Sequence, residues 1–342
     1  MNKELLEVLY SAPSPSGYEL DLQKNLINYL KDVDDVVITN QNYNVVHGIN
    51  KDSKKKILFL SHIDEIGLVI SEILPNGTCK VMSTGGIRPY MYLGQHVRVL
   101  TDNGEVHGVF GYLPAMDKGI TVDDLVLDLG VDSKEEALKL VHVGNPVVHQ
   151  YKYELFGNKI SGRALDDKIA AYIFLEALRR VKGKTDLGIY IGLTVGEETT
   201  GRGAKAAVND VKPDCVITAD VTYATDIKYM DHLRGDIRLG SGAVLTLGSL
   251  MNPVIKDQMV KLCDEKGIKY QYEVAPARTY TDTDSVYCYN GSTPSYLISI
   301  PLRYMHSSVE VANVSDVEEI INLVVEYILN FDKNTDFNPF NN

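Results

Sequence analysis

The sequence predicts an α/β fold, in which a doubly wound, mostly parallel sheet forms the main domain and a small β-rich domain is inserted. Near both ends of the chain, apolar runs that favour buried strands alternate with amphipathic helical segments. Between them lies a block of short strand candidates and turns that lacks this alternation. At 342 residues the chain is long enough for two domains, or for one domain that carries an insertion.

The first segment, residues 1–67, alternates helix and strand and ends in a buried strand. Its predicted elements, in order, are an N-terminal amphipathic helix, a Ser/Pro/Gly-rich turn over residues 11–17, a helix over 18–30, and strands over 36–38, 45–48 and 56–60. The last of these strands stops at Ser61-His62, so a polar group follows a buried run directly.

Residues 68–159 favour short strands and turns instead. An Asn-Gly pair at 103–104 lies between extended runs at 95–100 and 105–110, and this pattern predicts a β-hairpin. Only residues 133–140 favour a helix. We therefore predict an inserted, mostly β domain of barrel-like form over this range.

The alternation resumes after the insertion, so residues 1–67 and 160–342 are predicted to form one domain. The predicted elements are a helix over 168–180, a strand over 188–195, a helix over 204–209, a strand over 215–218, a further β-rich stretch, a helix over 254–266, strands over 269–274 and 295–300, and a closing helix over 314–329.

Composition limits the classes of partner. A net charge of −12 argues against nucleic acid and anionic membranes as partners, because both attract basic surfaces. The N-terminus lacks the apolar core of a signal peptide, and no apolar run approaches the roughly 20 residues that span a bilayer. The four cysteines show no paired spacing, which favours free thiols in a reducing compartment and predicts a cytoplasmic protein.

Five acidic or histidine-bearing segments are spread along the chain, and all of them except Asp166-Asp167 lie at the predicted carboxyl ends of strands. They are His62-Ile63-Asp64-Glu65, Asp166-Asp167, Glu197-Glu198, Asp220 and Arg303-Tyr304-Met305-His306. In open α/β sheets the carboxyl ends of strands meet at one edge, and ligands bind there. Imidazoles and carboxylates together suit divalent metals such as zinc, and the thiolates of a closed structural site are missing from this set. The sequence therefore predicts a metal-dependent enzyme.

Taken singly, each segment has a plainer interpretation. His62 alone is typical of a hydrogen-bonded core histidine, and Asp166-Asp167 before a helix is a good N-terminal cap. Glu197-Glu198 also fits a solvated first turn of a helix, Asp220 a turn cap, and His306 a loop. Their coincidence at one sheet edge favours a shared site.

The spacing adds two expectations. Adjacent Glu197 and Glu198 point to opposite faces of a regular strand, so they reach one cleft only if the strand breaks, which Gly196 permits. His62 and Asp64 lie two residues apart on extended chain and share a face. We expect Asp64 to orient His62 by accepting its second ring N–H.

Taken together, the motifs resemble those of the dinuclear metallo-aminopeptidases that assemble as hollow tetrahedral particles, a family that includes glutamyl aminopeptidases and proteins labelled cellulase M or endoglucanase. The resemblance covers nearly the whole chain. It rests on HIDEIG (62–67), GRALDDK (162–168), Glu197-Glu198 with GRGA (201–204), DVT (220–222) and RYMHS (303–307).

The resemblance implies a role for each site residue. His62, Asp220, Glu198 and His306 would bind the metals, Asp166 would bridge them, Glu197 would be the general base and Asp64 would support His62. It also implies a cis peptide bond after the bridging aspartate, and two divalent ions per subunit, with zinc or cobalt ahead of manganese. The inserted domain would act in lid formation and assembly, the chain would form a homo-dodecamer, and peptides would be its substrates.

Charge counting is consistent with this set. Three carboxylates, Asp166, Glu198 and Asp220, leave one positive charge on two divalent ions, and one bridging hydroxide would cancel it. Such paired ions lower the pKa of the water between them, and Glu197 would move its proton to the leaving amine. The expected activity is therefore cytosolic hydrolysis of N-terminal residues from peptides.

Other interpretations stay open. Paired carboxylates also serve glycoside hydrolysis, although the histidines would then be idle and the chain has no tryptophan to stack on sugars. A metal-dependent deacylase or dipeptidase would use the same centre, and a non-catalytic scaffold could retain it. Thr281 to Ser285 stands where relatives usually carry a Gly-Gly-Thr-Asp-Ala-like loop, so Asp284 either holds substrate or lies in a solvated turn. The preferred N-terminal residue and the physiological metal do not follow from the sequence.

Overall fold

The computed structural model describes residues 1–341, apart from the side chain of Asn290. Within that range no helix combines the length and the apolarity needed to cross a bilayer. The helices and strands, in chain order, are α1 (Lys3–Leu9), α2 (Leu20–Leu30), β1 (Val36–Thr39), β2 (Val45–Ile49), β3 (Lys56–His62), β4 (Gly67–Ile73), β5 (Cys79–Thr84), β6 (Gln95–Thr101), β7 (Gly104–Phe110), β8 (Val126–Asp128), α3 (Lys134–Ala137), β9 (Pro146–His149), β10 (Tyr153–Phe156), β11 (Lys159–Gly162), α4 (Leu165–Val181), β12 (Gly188–Thr194), α5 (Arg202–Val211), β13 (Cys215–Tyr223), β14 (Ala243–Gly248), α6 (Pro253–Lys266), β15 (Tyr270–Ala275), α7 (Asp282–Asn290), β16 (Ser295–Leu302), β17 (Glu310–Asn313) and α8 (Val314–Leu329).

A large sheet organises the main part of the chain. Its eight strands run in the order β1-β2-β12-β3-β13-β16-β14-β15. The central strands β12, β3, β13 and β16 are parallel neighbours, whereas pairing turns antiparallel towards β1 and between β16 and β14. The carboxyl ends of the four central strands therefore meet at one edge, which is where the sequence predicts the site.

Helices cover both faces of this sheet, because the side chains of each strand alternate between the faces. On β3, Ile57 and Phe59 belong to a core cluster that includes residues of α1, α2, α4, α6 and α8. Leu58 and Leu60 belong to a second cluster, with Ala204 and other residues of α5. The predicted doubly wound sheet is confirmed.

The inserted strands form a closed barrel in the order β4-β5-β8-β7-β6-β9. Leu68, Val97, Phe110 and Val147 are among the buried residues of its own core. The hairpin predicted at the Asn-Gly pair is β6–β7, in which Thr101 pairs with Gly104. An α/β sheet with a small β-rich unit inserted is therefore the observed fold class.

Two local expectations were wrong. Strand β13 does not stop before Asp220, because its pairing with β16 continues to Tyr223, and Asp220 thus lies inside a strand. The polar stretch around Asp284 is a helix, α7, not a solvated turn. Its N-cap is Thr281, whose side chain accepts a hydrogen bond from the backbone N–H of Thr283, so local capping outweighs weak helix propensity there.

Phe59 gives a direct test of the core on the central strand β3. Its side chain is fully buried, and its ring centroid lies 5.2 Å from that of Phe174 in α4. Phe59→Ala is expected to lower the free energy of unfolding by roughly 3–5 kcal/mol, measured by denaturant titration. Phe340→Ala, at a side chain that is 94% exposed, is the matched control and should stay within about 0.5 kcal/mol of wild type. Equal effects of the two substitutions would contradict this packing.

Candidate metal centre

The five predicted ligands come together as two groups of three that share one residue. His62, Asp166 and Asp220 form the first group, and Asp166, Glu198 and His306 form the second. In each group the possible ligand atoms all lie within 4.8 Å of one another. The shared carboxylate of Asp166 thus stands between two potential cation positions.

Each oxygen of Asp166 faces a different imidazole. The Oδ1 atom lies 3.0 Å from Nε2 of His62, and the Oδ2 atom lies 3.1 Å from Nε2 of His306. On the second side, Nε2 of His306 is 3.6 Å from Oε1 of Glu198. This division of the two oxygens is what a bridging carboxylate requires.

Special backbone conformations deliver these side chains to the sheet edge. His62 ends β3. Asp166 is the second residue of α4, whose N-cap Ala164 lies in the left-handed region, and the peptide bond between Asp166 and Asp167 is cis. After β12 ends at Thr194, Gly196 takes a φ of 67°, which lets Glu197 and Glu198 leave the strand pleat. The expected strand break is therefore present.

Several carboxyl groups are buried close together at the site, and this arrangement shifts their pKa values. Burial raises the pKa of Glu198 well above its ordinary value, and the neighbouring charge of Asp166 raises it further. Burial likewise raises the pKa of Asp220, with Asp166 adding to the effect. Burial alone would lower the pKa of His62, but hydrogen bonds to Asp166 and Asp64 outweigh it and hold that pKa well above its usual range. The raised pKa values of Glu198 and Asp220 reflect the repulsion between neighbouring buried carboxylates. A cation bound between these carboxylates would reduce that repulsion.

The donor set fits divalent cations. Among the described residues, the buried Oε1 atom of Glu198 has no hydrogen-bond partner, so this acceptor is left without a donor. His62 is 2% exposed, and Asp166 and Asp220 are each 6% exposed, so bulk water has little access to hydrogen-bond with these side chains. Nitrogen and oxygen ligands of this kind are those that zinc, cobalt and manganese accept.

Asp64 contacts the second ring nitrogen of His62, as expected, and it also contacts the loop of the paired glutamates. Nδ1 of His62 lies 3.0 Å from the backbone carbonyl oxygen of Asp64 and 3.6 Å from its carboxylate, so the carbonyl is the closer acceptor. The carboxylate of Asp64 accepts instead from the backbone N–H groups of Glu197, at 3.1 Å, and Glu198, at 3.4 Å. Asp64 therefore fixes the loop of the paired glutamates as well as the imidazole.

Glu197 borders the same cleft. Its Oε2 atom is 3.9 Å from Nε2 of His62, and its side chain is 14% exposed. Burial raises the pKa of Glu197 to about 8, with nearby carboxylates such as Asp282 adding to the rise and His62 opposing it. Glu197 therefore lies beside the first group of possible metal ligands.

Sequence reasoning missed Glu310. This residue is 2% exposed, and its carboxylate accepts from the backbone N–H of Asp166, at 3.1 Å, and of His306, at 2.7 Å. It therefore ties together the two chain segments that supply the bridging group and the second imidazole. A lone glutamate on β17 carries no pattern in the sequence that would have revealed this role.

Two further acidic residues near the centre, Asp167 and Asp282, had no role assigned from the sequence. Asp167 is fully buried, and neither of its carboxylate oxygens has a hydrogen-bond partner within the described part of the chain. Asp282 is 4% exposed and accepts from the hydroxyl of Thr194 at 2.5 Å. Asp284, considered above as a substrate ligand, instead accepts from the N–H and hydroxyl groups of Thr279 in its own loop, at 2.9 and 2.6 Å.

The barrel also reaches the centre. Nδ1 of His306 lies 3.0 Å from the carbonyl oxygen of Gly86, in the loop that follows β5. This contact leaves Nε2 of His306 directed at Asp166. A Cβ atom at Gly86 would come within 2.9 Å of Cε1 of His306, so the loop can pack this closely only without a side chain.

The chain is thus an α/β protein of the doubly wound class, with a candidate metal site at the edge of its parallel strands and a barrel inserted in the chain. Within that class, residues 43–323 match the sequence profile of the M42 glutamyl aminopeptidase family, and the chain belongs to this family. It is accordingly an aminopeptidase by family.

Individual relatives match over almost the entire chain. A lysyl aminopeptidase of Pyrococcus furiosus is 33% identical, over 98% of this chain and 99% of the relative. The structure of a TET aminopeptidase from a marine sediment archaeon of the Thaumarchaeota has a TM-score of 0.91, with 29% identity, 97% of this chain and 96% of that chain covered. The TET1 peptidase of Pyrococcus horikoshii, which assembles into a tetrahedron or a large octahedral shell, has a TM-score of 0.85 at 28% identity, with 96% and 99% covered.

The Gly86 contact predicts a sensitivity outside the ligand set. Gly86→Ala should displace the imidazole of His306 and weaken metal binding or activity by roughly 10- to 100-fold, as loss of outer partners of metal ligands does. Metal affinity is measured by competition with a chelator. Gly111→Ala is the matched control, because within residues 1–341 no atom lies within 4 Å of its added Cβ, apart from those of the glycine itself and its two chain neighbours. Unchanged metal affinity and turnover in Gly86→Ala would show that the barrel loop does not position His306.

Proposed function

We propose that the chain is a metal-dependent aminopeptidase that removes N-terminal residues from peptides with two divalent ions per subunit. The observation that carries the proposal is the shared carboxylate of Asp166, which faces one imidazole with each oxygen at 3.0 and 3.1 Å. Family membership supplies the aminopeptidase activity. Zinc or cobalt is the expected metal, with manganese as a third candidate, and peptides are the expected substrates.

The residues divide between the two ions according to the two groups. His62 and Asp220 would hold one ion, Glu198 and His306 the other, and Asp166 both. When bound, paired divalent ions act as Lewis acids and make water a stronger nucleophile at neutral pH. Asp64 and Glu310 would hold the ligands in place, because Asp64 contacts His62 and the backbone of Glu197 and Glu198, and Glu310 accepts from the backbone of Asp166 and His306.

Glu197 would serve as the general base. It lies beside the cation positions without belonging to either group of ligands, which leaves its carboxylate available for proton transfer. In the proposed reaction Glu197 takes a proton from the attacking water and returns it to the amine that leaves when the peptide bond breaks. The backbone contacts of Glu197 and Glu198 with Asp64 hold it at the cleft.

The remaining expectations about organisation are part of the same proposal. Residues 1–67 with 160–342 would form the catalytic domain, and residues 68–159 the lid-and-assembly domain. The described assemblies of the Pyrococcus horikoshii relative support a closed homo-oligomer, expected as a dodecamer. The acidic net charge of −12 supports a protein without nucleic-acid or membrane partners, and four free cysteines support residence in the cytoplasm.

Glu197→Gln tests the base. Because the amide cannot accept the proton, turnover should fall by about 10²- to 10⁴-fold while metal content and fold are kept. Activity is followed with a panel of amino-acyl p-nitroanilides, and bound metal by elemental analysis. Glu135→Gln, at an exposed position of the barrel, is the control and should remain fully active. Near-normal turnover in Glu197→Gln would remove this residue from the role.

Chelation tests the dependence on metal. Enzyme treated with a chelator should lose activity on the same panel, and reloading with zinc, cobalt or manganese should restore it to different extents. The panel also reveals the preferred N-terminal residue. A glycoside hydrolase built on paired carboxylates would keep cleaving a polysaccharide after chelation, and an outcome of that kind would refute the metallo-aminopeptidase proposal.

A further inference from the structure

The Ser/Pro/Gly-rich segment between α1 and α2 lies along the loop that carries His62 and Asp64. Pro15 pairs with Glu65 in a parallel bridge. The backbone N–H of Glu65 donates to the carbonyl oxygen of Ser14 at 3.0 Å, and that of Ser16 donates to the carbonyl oxygen of Glu65 at 3.3 Å. Residues 14–16 thus run alongside the loop that carries His62 and Asp64 and pair with it through backbone hydrogen bonds.

Side chains reinforce this pairing from both directions. The hydroxyl of Ser14 donates to the carbonyl oxygen of Ile63 at 2.7 Å, and the backbone N–H of Ser14 donates to Oε1 of Glu65 at 2.8 Å. Ser14 is fully buried and Glu65 is 3% exposed. Glu65 also receives Nζ of Lys168 at 3.1 Å, which connects the segment to the start of α4.

Ser16 contacts Asp64, the residue that links His62 to the paired glutamates. Its hydroxyl donates to Oδ2 of Asp64 at 2.5 Å. The same carboxylate accepts from the backbone N–H groups of Glu197 and Glu198 and is fully buried. A buried carboxylate is oriented by its donors, because no water replaces one that is lost. Among the donors to this carboxylate in the described part of the chain, Ser16 supplies a side-chain hydroxyl, whereas Glu197 and Glu198 supply backbone N–H groups.

The segment also reaches the loop of the paired glutamates. Glu19 is fully buried, accepts from the backbone N–H of Gly17 at 2.8 Å, and lies 4.0 Å from Nη2 of Arg202. The guanidinium of Arg202 rests on Gly196, where an added Cβ would lie 2.1 Å from Nη1. Residues 14–19 therefore contact the loop of His62 and Asp64 directly and the loop of the paired glutamates through Arg202.

We propose that residues 14–19 position the metal centre, and that Ser16 is the positioning residue that acts through Asp64. The hydroxyl fixes the carboxylate, the carboxylate fixes the Glu197-Glu198 backbone, and Glu198 then meets its cation in the correct place. Ser16 belongs to neither group of possible metal ligands. The inference rests on the proposed function, because it assumes that this centre binds metal and turns over peptides.

Ser16→Ala is the first test. We expect zinc affinity, measured by competition with a fluorescent chelator, to fall by about 10-fold, and kcat to fall by a similar factor with KM unchanged. Ser16→Thr keeps the hydroxyl and should restore both values. Ser11→Ala is the matched control from the same segment. Its exposed hydroxyl donates to the carbonyl oxygen of Val8, at 2.6 Å, and accepts from the side-chain amide of Asn25, at 2.8 Å, and neither partner belongs to the two groups of possible metal ligands.

The outcomes separate positioning from mere stability. Ser16→Ala with wild-type zinc affinity and kcat, or with a lower melting temperature as its sole defect, would overturn the positioning role. If Ser16→Ala does not fold, Ser16→Cys replaces it with the same expectations, because a thiol fills the volume but donates poorly. A wild-type protein that neither binds zinc nor cleaves amino-acyl substrates would overturn the proposed function as well, whereas an active wild type with an unaffected Ser16→Ala would overturn only this inference.

Discussion

The carboxylate of Asp166, held between the imidazoles of His62 and His306, is the interaction on which the rest of the centre depends. Several carboxylates are buried around it, and burying negative charge is costly unless positive charge or hydrogen-bond donors compensate. The protein supplies some compensation itself, through backbone N–H groups that donate to Glu310 and Asp64. If each of the two groups that share Asp166 holds a divalent ion, the positive charge of the ions would offset the buried negative charge that these donors leave uncompensated.

The fold makes this arrangement stable by dividing it among rigid elements. Parallel strands β3, β12 and β13 fix the heights of the loops at the sheet edge, since their register is set by buried residues on both faces. Hydrogen bonds then lock each loop to another one: Glu310 joins two ligand segments, and Asp64 joins His62 to the paired glutamates. The barrel adds a contact from the carbonyl oxygen of Gly86 to His306, which links the inserted unit to the candidate metal centre.

Much of this architecture was predictable from the sequence, because period and strand ends are local signals. The apolar run before His62 and the glycine before Glu197 place their side chains correctly, and both features can be seen in the residues themselves. Glu310 could not be found in that way, since its role depends on two backbone N–H groups far away in the chain. The extent of β13 was misjudged for a similar reason: the strand continues past Asp220 because β16 pairs with it, and pairing is not written in one strand alone.

The wide separation of the ligands along the chain has a consequence for synthesis. During translation the emerging polypeptide displays His62 early, but neither cation position has its full set of side chains until Asp220 and then His306 have left the ribosome. Glu310, which anchors the last of them, follows four residues later. A product that is truncated before His306 therefore contains part of the candidate site but lacks one of the two imidazoles that face Asp166.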